Sequence, residues 1–270
     1  IEPKQLNINA STLAKTIKKH PDAKVVILQN TLGYPSDIAA IKRFATANKI
    51  LIIEDLAHCI GMKYGDGKEA GTVGDFTTLS FSQDKVIDGI SGGALVIRNK
   101  SYQNKLKQQI SYTKLSLKQQ MRDRIYALLT VKIRALYPYG MGKPLHALCK
   151  KLHLLAKPVD GVFGVYRELP GWYAELIYDR FQNLNNTIEH RMRISKIYEK
   201  EISSRYQIAA TSGVPSMLRF PLLVKNRDTL FAYLKKSNVF ITDIWYETAV
   251  APVRYLKKTT YKIGECSEAD

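Results

Sequence analysis

Two short apolar runs, each closed by polar residues and glycine, constrain this chain more than any other feature. Ile50-Leu-Ile-Ile53 runs into Glu54-Asp55-Leu-Ala-His58. Thr77-Thr-Leu79 runs into Ser80-Phe-Ser-Gln-Asp84-Lys85, and Ser91-Gly92-Gly93 follows. A brief β-branched or aromatic run bounded by turn residues is the pattern of a strand buried in a parallel sheet. Residues 23–29 form a third such run, with Val25, Val26, Ile27 and Leu28 as its core. Between it and residue 50, Ser36 or Asp37 starts a helix reaching about residue 48. Strand, helix, strand at this spacing is a βαβ unit with parallel strands. Further strands are expected at 77–81 and 94–97. In open α/β sheets, ligands bind beyond the carboxyl ends of the strands. Asp55, His58, Ser80 and Lys85 are therefore expected to face one crevice.

The remaining pattern is mixed. Asn9 or Ser11 caps a helix running to Lys19. Gly65-Asp-Gly67 and Gly71-Thr-Val-Gly74 read as turns, because a dinucleotide fingerprint must follow a strand and open a helix. Residues 171–205 read as one long helix broken near 183–186. After it come strands at 207–210, 217–224 and 239–241, with a helix at 227–236. That order suggests a smaller α/β unit. The expected division is a partial large domain over 1–165, in which 101–165 is a basic helical insertion, and a partial small C-terminal domain over 166–270.

Charge is concentrated in that insertion. The chain of 270 residues carries 41 Lys and Arg against 24 Asp and Glu, a net charge of +17. Residues 101–160 hold 12 of the basic side chains against only Asp123 and Asp160. Met121, Ile125, Leu128, Leu129, Ile133 and Leu136 recur at helical spacing there, and a second apolar-basic helix follows near 145–155. Two readings stay open: helices packed on the body through this stripe, or an interfacial contact with a membrane. Nucleic acid is not expected as a partner, since no helix-turn-helix or aromatic-basic RNA motif accompanies the charge. No apolar run reaches the roughly 18 residues that span a bilayer. Cys59, Cys149 and Cys266 are odd in number, far apart and in no metal-type spacing, so no disulfide framework or metal site is expected. The compartment expected is reducing and cytoplasmic, with the membrane surface as an extension of it. The sequence opens at Ile1 and stops at Glu268-Ala-Asp270, which reads as a fragment of a longer protein.

A lysine beyond a strand end, half-desolvated and facing an aspartate, has a lowered pKa and can act as an amine nucleophile toward an aldehyde. Pyridoxal phosphate (PLP) supplies such an aldehyde, and its ring nitrogen needs a carboxylate partner. Spacing alone leaves ordinary surface or packing roles open for all four residues.

The ordered set of motifs narrows this. Ile53-Glu54-Asp55-Leu-Ala57-His58-Cys-Ile-Gly61, Gly71-Thr-Val-Gly74-Asp75-Phe, Leu79-Ser80-Phe81-Ser82-Gln-Asp-Lys85 and Gly92-Gly93-Ala94 together resemble the DegT/StrS family of PLP-dependent sugar aminotransferases. Val25 to Asp37 and Arg191-Met-Arg-Ile-Ser-Lys-Ile-Tyr198 extend the resemblance to most of the chain outside about 101–165. It implies a fold-type-I PLP transferase with a mainly parallel central sheet flanked by helices and a smaller C-terminal α/β domain. It implies that Lys85 forms the Schiff base with the cofactor and shuttles the proton. Asp55 would bind the pyridinium nitrogen, His58 the phenolic oxygen, and Ser80 the phosphate. Gly92-Gly93 is expected to be a backbone constraint.

The implied reaction moves an amino group from an amino acid, with glutamate the expected donor in the family's manner, to a keto group of a nucleotide-linked sugar. The implied setting is polysaccharide or amino-sugar biosynthesis, by a homodimer. Sugar dehydratases of the family characteristically carry histidine where Lys85 stands, which argues against that chemistry. A family member without activity, serving as a membrane-surface or scaffold protein, is the alternative. Three departures are noted. The family's Ser-Gly-Thr phosphate loop and ring-stacking residue are absent. Ser91 replaces the usual Glu. Pro170-Gly-Trp-Tyr-Ala174 lies where an Asn-Tyr-Arg-Met segment normally reaches the neighbouring subunit.

Overall fold

The structure is a computed structural model, in which residues 5–156, 166–209, 212–237, 239, 241 and 253–265 are described. In chain order the elements are α1 (Ala10–Lys19), β1 (Val25–Gln29), α2 (Ile38–Ala47), β2 (Leu51–Asp55), β3 (Lys63–Tyr64), β4 (Phe76–Ser80) and β5 (Gly93–Ile97). There follow α3 (Lys100–Gln109), β6 (Tyr112–Thr113), α4 (Leu117–Ala135), α5 (Gly142–Lys151), β7 (Tyr166–Arg167), α6 (Gly171–Gln182), α7 (Leu184–Glu201), β8 (Gly213–Val214) and α8 (Arg227–Lys236).

The helix starts follow local chemistry. Asn9 closes a capping box with Thr12 at the head of α1, and the Asp37 carboxylate accepts from the Ala40 amide at the head of α2. Each side chain satisfies an amide that the first helical turn leaves unpaired. The break between α6 and α7 falls at Asn183.

The central sheet has the order β1-β2-β4-β5. β1, β2 and β4 are parallel, and β5 returns antiparallel to β4. Gly93 permits that return, since a Cβ there would lie 2.6 Å from the Leu79 carbonyl oxygen. Leu28, Ile41, Ala45 and Ile52 are wholly buried where α2 packs on the sheet.

Two sequence expectations need correction, and a third point, left open by the sequence, gains detail. Val25 and Ile27 were expected in the core, yet Ile27 is 64% exposed and Val25 is exposed too. A run buried on both faces needs cover on both, and β1 as an edge strand buries only the alternate face, through Leu28. Residues 217–224 do not form a strand, and nor do 207–209. The amides of Ser216 and Leu218 are spent on the carbonyls of Gly33 and Leu32, and Pro215 and Pro221 have no N–H to offer a ladder. Among the described residues the part from 166 onward is thus mainly helical, with two two-residue strands, β7 and β8. Ala210 and Phe240, in the other expected strands, lie outside the described residues.

The third point concerns α4, for whose stripe the sequence left two readings open. Of its stripe only Ile133 is buried, while Met121 is 56% and Leu128 67% exposed, and Ile125 is exposed as well. The face turned to the body instead carries Asp123, which is buried, paired with Arg122 Nε at 2.8 Å and bonded by the Tyr173 hydroxyl of α6. One carboxylate with two partners outweighs a stripe of apolar residues in orienting the helix, because a buried charge must be paired.

Candidate active site

The site is assembled at the carboxyl ends of β2 and β4. Asp55 closes β2 and stands in register with Gln29 of β1 and Thr78 of β4. Residues in register share a face, and so do residues two apart on a strand. Asp55, Thr78 and Ser80 therefore share one face of the sheet. Asp55 Oδ1 accepts from the Ala57 amide at 2.9 Å and from Thr78 Oγ1 at 3.3 Å, which fixes the carboxylate. Ser80 Oγ lies 3.1 Å from Ser82 Oγ.

Glu54, one residue earlier, faces the opposite way and is fully buried. Its carboxylate accepts from Tyr64 Oη at 2.8 Å and from the amides of Gly71 at 2.7 Å, Val73 at 2.8 Å and Gly74. These amides are occupied by a protein carboxylate, which explains physically why this glycine turn is no phosphate cradle. Glu54 is a residue that sequence reasoning left without a role. The signal was available, since two acids in succession at a strand end must point to opposite faces.

His58 follows β2 in a turn and is 0% exposed. Its Nδ1 accepts the Leu32 amide at 3.3 Å, so the neutral ring carries its proton on Nε2. Burial, then the charges of Lys85 and Arg219, pull its pKa down to about 4. The imidazole is neutral at pH 7.

Lys85 sits on the loop from Phe81 to Gly92, which is closed by Phe81 N–H to the Gly92 carbonyl at 3.0 Å and Gly89 N–H to the Phe81 carbonyl at 2.8 Å. Val86, Ile87 and Ile90 are buried and pin the loop. The Lys85 pKa is held below the usual ammonium range, chiefly by burial; the charge of Asp55 opposes the shift and that of Arg219 adds to it. Lys85 thus feels Asp55, and His58 feels Lys85. His58 and Lys85 are linked electrostatically, as are Lys85 and Asp55, and Ser80 lies on the same sheet face as Asp55.

Arg219 was not anticipated. It arrives on an extended strap, residues 215–220, that crosses the sheet end. Ser216 Oγ donates to the His58 carbonyl at 3.2 Å, and Leu218 packs with Val86 and with Ile188 of α7. Gly33, with φ +90°, permits the close approach, because a Cβ there would collide with Ser216 Oγ and the His58 carbonyl. Arg219 Nη2 reaches Asp84 Oδ1 at 3.8 Å. A lone arginine in the apolar run from Met217 to Val224 was the only hint in the sequence. Arg191 of α7 braces the strap by donating to the carbonyls of Met217 and Leu218 at 3.3 and 3.1 Å.

Beside the loop, Gln83 and Asp84 border a cavity of about 780 Å³. Helices α4 and α5 supply the other wall, with Arg134, Lys143 and Lys150 as cations and, among the described residues, Asp84 as the one acidic lining residue.

The model of the DegT/DnrJ/EryC1/StrS aminotransferase family matches residues 1–270. A dTDP-4-amino-4,6-dideoxy-D-glucose transaminase of Shigella dysenteriae is 24% identical over 235 residues, covering 84% of this chain and 53% of the relative. GDP-perosamine synthase of Escherichia coli O157:H7 is 36% identical over 78 residues, 29% of this chain and 21% of that protein. Among solved structures, the aminotransferase TlmJ from Streptoalloteichus hindustanus superposes with a TM-score of 0.64 at 17% identity, covering 91% of this chain and 58% of that one. The Escherichia coli GDP-4-keto-6-deoxy-D-mannose-3-dehydratase with bound hydrated PLP gives 0.59 at 18% identity, over 89% and 57%. The fold is that of PLP-dependent transferases of fold type I. The chain spans less than two thirds of the length of each of these proteins. It belongs to the DegT/DnrJ/EryC1/StrS aminotransferase family.

Proposed function

We propose that the whole protein is a PLP-dependent aminotransferase, moving an amino group from an amino acid, with glutamate as the expected donor, to a keto carbon of a nucleotide-linked sugar. The observation that carries this reading is the geometry of the strand ends: Asp55, Thr78 and Ser80 share one face of the sheet, and the half-buried Lys85 follows β4 on a loop pinned by Val86, Ile87 and Ile90. The donor set fits the family's cofactor: a carboxylate fixed at a strand end, a half-buried amine with lowered pKa, a neutral imidazole with its proton on Nε2, and paired hydroxyls at Ser80 and Ser82.

When bound, PLP supplies an aldehyde carbon and a ring that draws electrons from bonds at the attached carbon. Asp55 provides the negative charge that keeps a ring nitrogen protonated. His58 donates from Nε2 toward a phenolic oxygen, and Ser80 offers its hydroxyl to a phosphate. With the cofactor bound, Lys85 would take a proton from one carbon and return it to another. Its lowered pKa leaves more of the amine neutral near pH 7 than in a solvated lysine, as a base requires. Arg219 adds positive charge to the crevice, which suits an anionic substrate. The neighbouring cavity, with Arg134, Lys143 and Lys150, supports a phosphorylated one. Lysine at position 85 favours amino transfer over the dehydratase chemistry of the structural neighbour. The reading includes a cytoplasmic homodimer supplying amino sugars for polysaccharide.

The test uses full-length protein. Borohydride reduction should fix the cofactor to the peptide carrying Lys85, and 15N-labelled glutamate should label a sugar nucleotide bearing a keto group. If Lys85→Ala leaves the visible absorbance of the protein unchanged, the lysine assignment fails.

A further inference from the structure

We infer that the outward face of α4 docks on an anionic lipid surface. Leu117, Met121, Ile125, Leu128 and Val131 are all exposed. At 3.6 residues per turn they fall within an arc of about 120°. Beside and among them are Lys118 and Lys132, also exposed, while the Arg124 guanidinium lies 5.2 Å over the Trp172 ring. From Leu117 to Lys151 the one acidic residue is Asp123, and it is buried on the opposite side under Tyr173. The turn that follows α4 exposes Tyr139 and Met141, and α5 behind it exposes Leu148. Among the described residues no helix is long and apolar enough to cross a membrane.

The charge pattern selects the occupant. An apolar face studded only with cations repels a second copy of itself, since an isologous contact sets like charges against like. A bilayer containing anionic lipids meets both halves of the pattern. Apolar side chains enter the acyl boundary, while lysine and arginine stems lie along it with their charges at the headgroups. Exposed tyrosine beside such a face suits the headgroup level. The inference rests on α4 alone and is independent of the chemistry at Lys85.

Full-length protein is sedimented with vesicles of phosphatidylcholine alone and with vesicles containing equal parts phosphatidylglycerol. Binding is expected to the second only, and raising the salt should weaken it. The double variant Lys118→Glu, Lys132→Glu should lose at least about tenfold in binding, since each basic side chain near an anionic surface contributes several-fold. Met121→Glu, Leu128→Glu should lose binding as well. Because all four side chains are exposed, thermal denaturation should match the parent and exclude misfolding as the cause. Full-length protein that does not sediment with either vesicle overturns the inference. So does equal sedimentation by parent and both variants. A change of oligomeric state in Met121→Glu, Leu128→Glu, without any vesicle binding by the parent, would assign the face to a second copy instead.

Discussion

The crevice at the strand ends and the α4–α5 hairpin use similar residue types to opposite effect. Around Asp55 and Lys85, charged groups are drawn inward and held by partners: Asp55 by an amide and a hydroxyl, Glu54 by one hydroxyl and three amides, Arg191 by two carbonyls. Their positions follow from strand register and from a strap crossing the sheet. On α4 most of the charged groups face solvent, and most of the apolar residues face it with them; Asp123 is turned in with Arg122 beside it. The contrast teaches that helical periodicity defines a stripe without saying which way it faces. In the crevice, alternation along a strand and the neighbouring strand's register leave no such freedom.

The comparison can be broken at its strongest point first. If Lys85 is the proton-moving amine, Lys85→Ala should lower turnover by roughly 10²–10⁴-fold, the scale of positioned acid–base catalysis. Steady-state kinetics on folded variant checks it, and a loss below tenfold would take Lys85 out of the mechanism. Next, Glu54→Ala should destabilise the protein by about 3 kcal/mol or more, because each buried donor left without an acceptor costs about 1–3 kcal/mol. Chemical denaturation of the variant gives the number, and a cost under about 1 kcal/mol would contradict the role of Glu54 as the hub of the glycine turn.

Acid titration sharpens the picture of His58. Its folded pKa, about 4, lies below the value of 6.5 expected when unfolded. Between those values the unfolded chain binds the proton and the folded chain does not, so stability falls as pH drops from about 6.5 toward 4. The total is on the order of 3 kcal/mol. Denaturation across this window should show the loss, and His58→Gln should flatten that component. A parallel measurement follows Lys85 by peptide-resolved methylation against pH. Removing Arg219 as Arg219→Leu should raise the Lys85 pKa, and Asp55→Asn should lower it further. Movement in the reverse directions would show that the two charges do not act on Lys85.

The smallest effects separate the two sides of α4. Ile133→Ala should cost about 2–4 kcal/mol as a buried deletion. Leu128→Ser on the same helix should change stability by no more than about 0.5 kcal/mol. Equal costs at the two positions would mean that Leu128 is covered in solution.

Much of the crevice was legible in advance. Short apolar runs ending in Asp55 and Ser80, separated by a helix or by glycine turns, define parallel strands, and parallel strands bring their carboxyl ends to one edge. Capping residues Asn9 and Asp37 marked helix starts through local hydrogen bonds. The role of Glu54 was half-legible, because alternation puts it opposite Asp55, while its partners lie 10 to 20 residues away. Arg219 was not legible. Its approach depends on contacts with Gly33 and His58, more than 150 residues distant in the chain.

What the sequence determined by itself is therefore whatever short-range chemistry settles: strand periodicity, helix caps, the proline positions that forbid a ladder, and the set of groups available at the strand ends. Tertiary structure alone decided which side of α4 faces inward, which face of β1 is left open and which distant cation enters the crevice. The reason is that these outcomes turn on the pairing of buried charges and on cover from remote segments, and neither is encoded within a few residues of the groups concerned.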